Sequence, residues 1–261
     1  MRFSLLLLLA STLALMGVAG ACSRRGAGGQ NQISVAAADD LTEPFTEAAR
    51  AFESETGFQV KCTFGPSSEL AKQITHGAEF DLFAADSITE IDKLEKEEQV
   101  ERGTKALFAQ GRLVLWFPSS ASEQIERIED LACTDCGQIG IANPQLSLYG
   151  RAALQALDSY SVLENAASKI VYGDNVVQVK QMAVEGRVQG AFLPLSLVNQ
   201  GEGRKIEVDD KSHMPLDNAI AVLKASNKQD AAKRFEALIL SDRGQELLRQ
   251  HGYERPPVFV Y

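Results

Sequence analysis

The stretch Ile33-Ser34-Val35-Ala36-Ala37-Ala38-Asp39-Asp40-Leu41-Thr42 decides how the chain is read. Ile33 and Val35 are strand formers, and the three alanines are small enough to be buried on both faces of a sheet. At Asp39-Asp40 the character changes. Acidic residues stand before a helical pattern with Pro44 in its first turn, which are ordinary helix-start signals. A strand running almost directly into a helix aims the helix N-terminus past the sheet edge. Free N–H groups and a partial positive charge at that end suit an anion. The stretch therefore predicts one wall of an anion-binding cleft.

Outward from it, strands and helices alternate. Phe45, Ala48, Ala49 and Phe52 fall on one face of a helix over 42–56, stopped by Gly57. Phe58 to Phe64 alternates as a strand, Pro66-Ser67-Ser68 opens a helix, and Asp81 to Ala85 is a short buried strand before another. This βαβαβα order predicts a parallel sheet with helices on its faces. Gly103 to Gln110 reads as a connector and Leu113 to Phe117 as an apolar strand ended by Pro118, where the chain crosses to a second lobe. There, a helix near 123–131, strands at 138–142, 170–172 and 190–195, and helices from Arg151 and Val176 are expected, with 201–211 as a polar loop. Ala219 to Leu223 returns to the first lobe, and two helices at 229–239 and 242–250 close the chain. The fold class is α/β with two lobes of mainly parallel sheet: lobe I is 33–112 with 213–261, and lobe II is 113–212. Such folds bind ligands at the carboxyl ends of strands and between domains.

Residues 1–21 read as a signal peptide: Arg2, an apolar run too short for an ordinary membrane span, then Ala19-Gly20-Ala21. Cys22 follows at once, as in a lipoprotein box, and lipidation there is expected; plain cleavage at the small residues is the alternative. Residues 22–32 form a flexible tether. The net charge of −9 comes without any basic patch, which argues against nucleic acid. Cys133 and Cys136 form a C-x-x-C pair without a second pair or a histidine cluster, so a metal site is not favoured; a local disulfide is expected, with two free thiols as the alternative. Cys62, in a strand, reads as a small hydrophobe. His76, His213 and His251 are scattered, and Trp116 reads as core. Asp81 and Asp86 flank a strand end and read as structural caps. No nucleotide-binding, hydrolase or zinc-protease motif is present, so no enzyme is expected.

Four strand-to-helix junctions share the anion-binding pattern: Asp39-Asp40, Pro66-Ser67-Ser68, Tyr149-Gly150 and Asp174-Asn175-Val176. The wording around them, VAAADDLTEPF, TFGPSSELAKQITHGAEFDLFAADS, IGIANPQLSLYGRAALQAL, KIVYGDNVVQVKQMAVEG, QGAFLPLSLV and LILSDRGQELLRQHGYERP, resembles in this order the molybdate-binding proteins of bacterial ABC importers. The resemblance runs from about Ile33 to Pro256. It implies a type II periplasmic-binding-protein fold closing on a tetrahedral dianion, molybdate or tungstate, without any other cofactor. Expected partners are an ABC permease and its ATPase, with a monomer in the periplasm or cell envelope held by a lipid at Cys22. The family's ligand positions fall here on Asp40 with Asp39 beside it, Ser67, Tyr149 and the backbone N–H of Val176. Some members place a tyrosine near Leu193, which cannot donate, and Tyr149 is expected to replace it.

The family usually has a hydroxyl or amide at position 40. A carboxylate beside an oxyanion is repulsive. Asp40 turning away to cap its own helix is the accommodation we favour. The others are protonation of one aspartate, or a changed site in which Asp39 and Asp40 take a metal species or another ligand.

Overall fold

The computed structural model describes residues 31–121, 125–133, 136–198 and 201–256. Residues 1–21, expected as a signal peptide, Cys22 and the last five residues lie outside them, as does most of the expected tether. The chain runs β1 (Gln32–Ala38), α1 (Thr42–Thr56), β2 (Gln59–Gly65), α2 (Ser67–Thr75), β3 (Leu82–Ala85), α3 (Ile88–Lys96), β4 (Ala106–Gln110) and β5 (Leu113–Phe117). It continues β6 (Ile139–Ala142), α4 (Leu148–Ser159), α5 (Leu163–Ala166), β7 (Ile170–Gly173), α6 (Val176–Val184), β8 (Gly190–Pro194), β9 (Arg204–Glu207), β10 (Asp217–Val222), α7 (Gln229–Leu240) and α8 (Asp242–Gln250).

Two five-stranded sheets result, ordered β2-β1-β3-β10-β4 and β7-β6-β8-β5-β9. In the first, β1 pairs in parallel with β2 and β3, while β10 runs antiparallel to β3 and β4. In the second, β6 pairs in parallel with β7 and β8, while β5 runs antiparallel to β8 and β9. Both sheets are therefore mixed, and in each the one strand pointing the other way immediately follows a chain crossing.

Residues 106–110 and 204–207, expected as connector and loop, are the strands β4 and β9. β9 lies at a sheet edge and needs one partner only, so its alternating half-buried and exposed Arg-Lys-Ile-Glu carries little apolar signal. In place of the helix near 123–131, the described residues form a short 3-10 turn, Ile128–Ala132.

β1 is covered on both faces. Val35 and Ala37 pack into a core shared with Phe45, Phe52, Phe108 and Phe235, and Ala36 into a second one with Leu70, Phe83 and Ile91. Edge-to-face contacts tie α1 to β4 and α7: Phe45–Phe108 at 5.7 Å, Phe45–Phe235 at 6.0 Å and Phe52–Phe235 at 5.3 Å. Each adds about 0.5–1.5 kcal/mol beyond area burial. The second sheet has its own core, with Trp116, Phe117, Ile141, Ala153, Leu157 and Phe192 at its centre.

The chain crosses between the sheets after β4 and again after β9. The crossings are tied together where Gly111 N–H donates to the Leu216 carbonyl at 2.8 Å. Cys133 and Cys136 are disulfide-bonded with Cα atoms 5.8 Å apart. Cys62 is a half-buried free thiol on β2, pushed up to about 11 by burial.

Candidate functional site

The carboxyl ends of β1, β2, β3, β6 and β7 each run into a helix start, and these starts converge. Asp39, Asp40, Pro66, Asp86, Leu146, Ser147, Tyr149, Asn175 and Val176 enclose one cavity of about 10 Å³, room for about one water. A wider cleft of about 480 Å³ opens beside it, with Leu146, Leu148 and Arg151 on one side and Ser68, Ser87 and Lys93 on the other. Three of these helix starts are capped by side chains, α3 by Ser87, α4 by Ser147 and α6 by Asn175. Gly150 N–H donates to Ser147 Oγ at 3.3 Å, and Gln178 N–H to Asn175 Oδ1 at 2.8 Å. Gly150 lets α4 start close against β6: a Cβ there would stand 2.1 Å from the Ala142 carbonyl oxygen.

Of the residues singled out in the sequence, Asp39, Asp40, Tyr149 and Val176 stand on the cavity wall. α4 starts three residues earlier than its periodicity suggests, which places Tyr149 in its first turn. Its ring reaches toward the first sheet, with the hydroxyl over Gly111. A Cβ on Gly111 would sit 2.1 Å from that oxygen. Ser67 is fully buried one step back, where its Oγ accepts from Asp86 N–H at 3.0 Å. Leu193 is buried in β8, without a polar role.

Asp40 departs from its favoured accommodation. It belongs to a 3-10 turn, Asp39–Leu41, and no side chain caps either that turn or α1. The carboxyl points inward instead, because the tight turn rotates it toward two phenols. Tyr149 Oη donates to Asp40 Oδ2 at 3.0 Å. Tyr253 Oη lies 2.8 Å from the same oxygen, 2.8 Å from the Asp40 carbonyl and 3.2 Å from Ser196 Oγ. Tyr149 and Ser196 come from the half with the second sheet, Asp40 and Tyr253 from the half with the first. The carboxyl thus fastens the two halves together. Ser68 Oγ adds a second tie, donating to the Leu146 carbonyl at 3.2 Å.

Asp86 also has a larger part than expected. The cap of α3 is Ser87, whose Oγ accepts from Thr89 N–H at 3.3 Å. The Asp86 carboxyl is held by the Ser67 hydroxyl and Leu148 N–H, with the Arg151 charge nearby. Asp81 is structural: it accepts from Ser34 N–H and the Ser226 hydroxyl, each at 2.7 Å. Tyr253 carried one legible signal, a hydroxyl-bearing aromatic directly after the glycine that ends the closing helix. A buried phenol needs a partner, but nothing local names it.

The three carboxyls at this small cavity are all shifted upward. Burial, then repulsion by Asp86, pushes Asp39 up to about 6 and Asp40 up to about 7. Burial pushes Asp86 upward as well, against the pull of Ser67 and Arg151. Tyr149 and Tyr253 are held well above the ordinary phenol range, first by burial and then by the Asp40 charge, so both stay protonated donors. Among the described residues, no group of three His, Cys, Asp or Glu side chains is arranged to hold a metal ion. Among those residues no helix is long and apolar enough to cross a membrane.

Comparison with known proteins places this geometry. Residues 33–254 match the family described as bacterial extracellular solute-binding protein. The molybdate-binding protein ModA of Azotobacter vinelandii is 30% identical over 241 residues, covering 89% of this chain and 92% of that one. ModA of Rhodobacter capsulatus is 29% identical, covering 85% and 88%. In structure, the chain superposes on the periplasmic molybdate-binding protein of Azotobacter vinelandii with a TM-score of 0.81 at 23% identity, covering 86% of this chain and all of that one.

Proposed function

Because the chain belongs to the bacterial extracellular solute-binding proteins, we propose that it captures molybdate between its two halves and delivers it to an ABC importer. The observation that carries this is the convergence on one cavity of helix starts from both sheets, the buried Tyr149 among them, in a chain 30% identical to a molybdate-binding protein. Helix N-termini offer N–H donors and a positive field without a fixed counter-charge. A tetrahedral oxyanion of four acceptor oxygens matches such a donor set. The site residues in this reading are Asp39, Asp40, Ser67, Tyr149 and the Val176 N–H.

Capture proceeds by lobe motion. The cavity is smaller than an oxyanion, so the halves part at the crossings near Gly111 and Leu216 and reclose on the ligand. Selectivity over sulfate rests on cavity size, since both ions carry two charges and four oxygens; tungstate, of the same shape, competes. The protein is a monomeric carrier with no reaction of its own. It is exported by residues 1–21, fixed to the membrane by a lipid at Cys22, and passes its cargo to a permease and ATPase. Calorimetry of the mature protein with molybdate, tungstate, sulfate and phosphate tests the reading. Micromolar or tighter binding of molybdate and tungstate, with sulfate far weaker, is expected. Tight sulfate or phosphate binding with none of molybdate would replace it by another oxyanion.

A further inference from the structure

We propose that the site takes its oxyanion together with a proton, held on the buried carboxyl pair Asp40 and Asp86, so that capture is coupled to proton uptake. The inference rests on the oxyanion reading above and concerns that same cavity. Its basis is a count of charges and donors.

The titratable and charged groups around the pair are few. Asp39 comes from the same turn as Asp40. Asp86 precedes α3, which also carries Glu90, paired with Lys93 at 2.9 Å and still repelling Asp86. α4 contributes Tyr149 and Arg151, and the segment after α8 contributes Tyr253. With every carboxyl ionised, three negative charges face one positive charge, and a dianion would add two more negatives. Arg151 is partly engaged elsewhere, donating to the Pro144 carbonyl at 3.0 Å.

The donors are also occupied. Ser67 Oγ–H and Leu148 N–H are given to Asp86, and Tyr149 Oη–H to Asp40. The Asp86 carboxylate thus stands on donors that an incoming oxyanion would use. Around Asp40 the oxygens outnumber the hydrogens. Tyr253 has one proton for two Asp40 acceptors, the carboxyl Oδ2 and the backbone carbonyl, each at 2.8 Å, with the Ser196 hydroxyl 3.2 Å away. A proton on the Asp40 carboxyl relieves that shortage and turns an acceptor at the cavity wall into a donor. Protonation therefore removes the repulsion and supplies the missing hydrogen at once. The upward shift of Asp40, to about 7, brings that proton within reach near neutrality, and burial shifts Asp86 in the same direction.

The test is calorimetry of the wild-type protein with molybdate between about pH 6.5 and 8.5, in two non-phosphate buffers of different ionisation enthalpy. The expected result is uptake of about one proton per anion. Kd then rises about tenfold per pH unit above about pH 7. Asp40→Asn and Asp86→Asn should each flatten that dependence and tighten binding at about pH 8. The wild-type proton count stands even where a variant folds poorly. Molybdate binding with Kd constant across the range and heat independent of buffer would overturn the proton coupling and leave the oxyanion reading intact. No binding of molybdate, tungstate, sulfate or phosphate at any pH, in the wild type or in either variant, would sink the oxyanion reading itself.

Discussion

Replacing Asp40 by asparagine should stabilise the protein at about pH 8 and change it little at about pH 5. The side chain is 2% exposed, and its acid constant moves from 3.8 up to about 7. The folded state thus holds a proton between about pH 4 and 7 that the unfolded chain has released. Stability from this group is lost as pH rises through that window, because the native state binds more protons than the unfolded one. At about 1.4 kcal/mol per pKa unit, the ionised form costs the fold on the order of 4 kcal/mol. Asparagine keeps an acceptor for Tyr149 and Tyr253 without the charge. Its weaker hydrogen bonds return about 1–2 kcal/mol of that, leaving a gain of roughly 2 kcal/mol at about pH 8. Urea unfolding of wild type and variant at both pH values measures it. Wild type should lose stability between about pH 5 and 8, and the variant should lose less. A variant destabilised equally at both pH values would refute the reasoning, since Asp40 would then act as an ordinary hydrogen-bond acceptor.

Gly111→Ala puts a methyl 2.1 Å from the Tyr149 hydroxyl and must displace the ring; molybdate should bind at least tenfold more weakly by calorimetry, with the circular dichroism spectrum unchanged. Tyr253→Phe removes a donor that lowers the Asp40 acid constant. It should cost about 1–3 kcal/mol in urea unfolding and move the pH at which stability falls upward. Removing the Cys133–Cys136 disulfide by a double serine substitution opens a loop of only four residues, so chain entropy limits the loss to about 2 kcal/mol. Molybdate affinity should not change.

The helices were the most legible part of the chain. α1 and α8 have the bounds that their periodicity predicts, because each carries a clear apolar stripe between readable ends. β4 escaped because Gly103 and Lys105 make its approach look like a connector and it carries no clean alternation. The starts of α2 and α6 were legible because Ser67 and Asn175 stand where strand patterns stop, whereas α4 was expected only from Arg151 because the 143–150 loop hides the Ser147 cap. The direction of Asp40 was not. Whether a carboxylate before a helix caps it or turns inward depends on one 3-10 turn and on two phenols, one of them 213 residues away. Asp86 was hidden for a similar reason. Its position beside Ser87 looks like a cap, and only the fold shows that Ser87 does the capping while Asp86 faces Ser67 and Leu148.

The central claim is that molybdate sits between the two halves, and a crystal of the molybdate-soaked protein measured at the molybdenum absorption edge tests it most directly. The account predicts one anomalous peak in the cavity bounded by Asp40, Tyr149 and Val176, with Ser67 released from Asp86 to donate to the anion. A peak on the outer surface, or none in a protein saturated with molybdate, would contradict it.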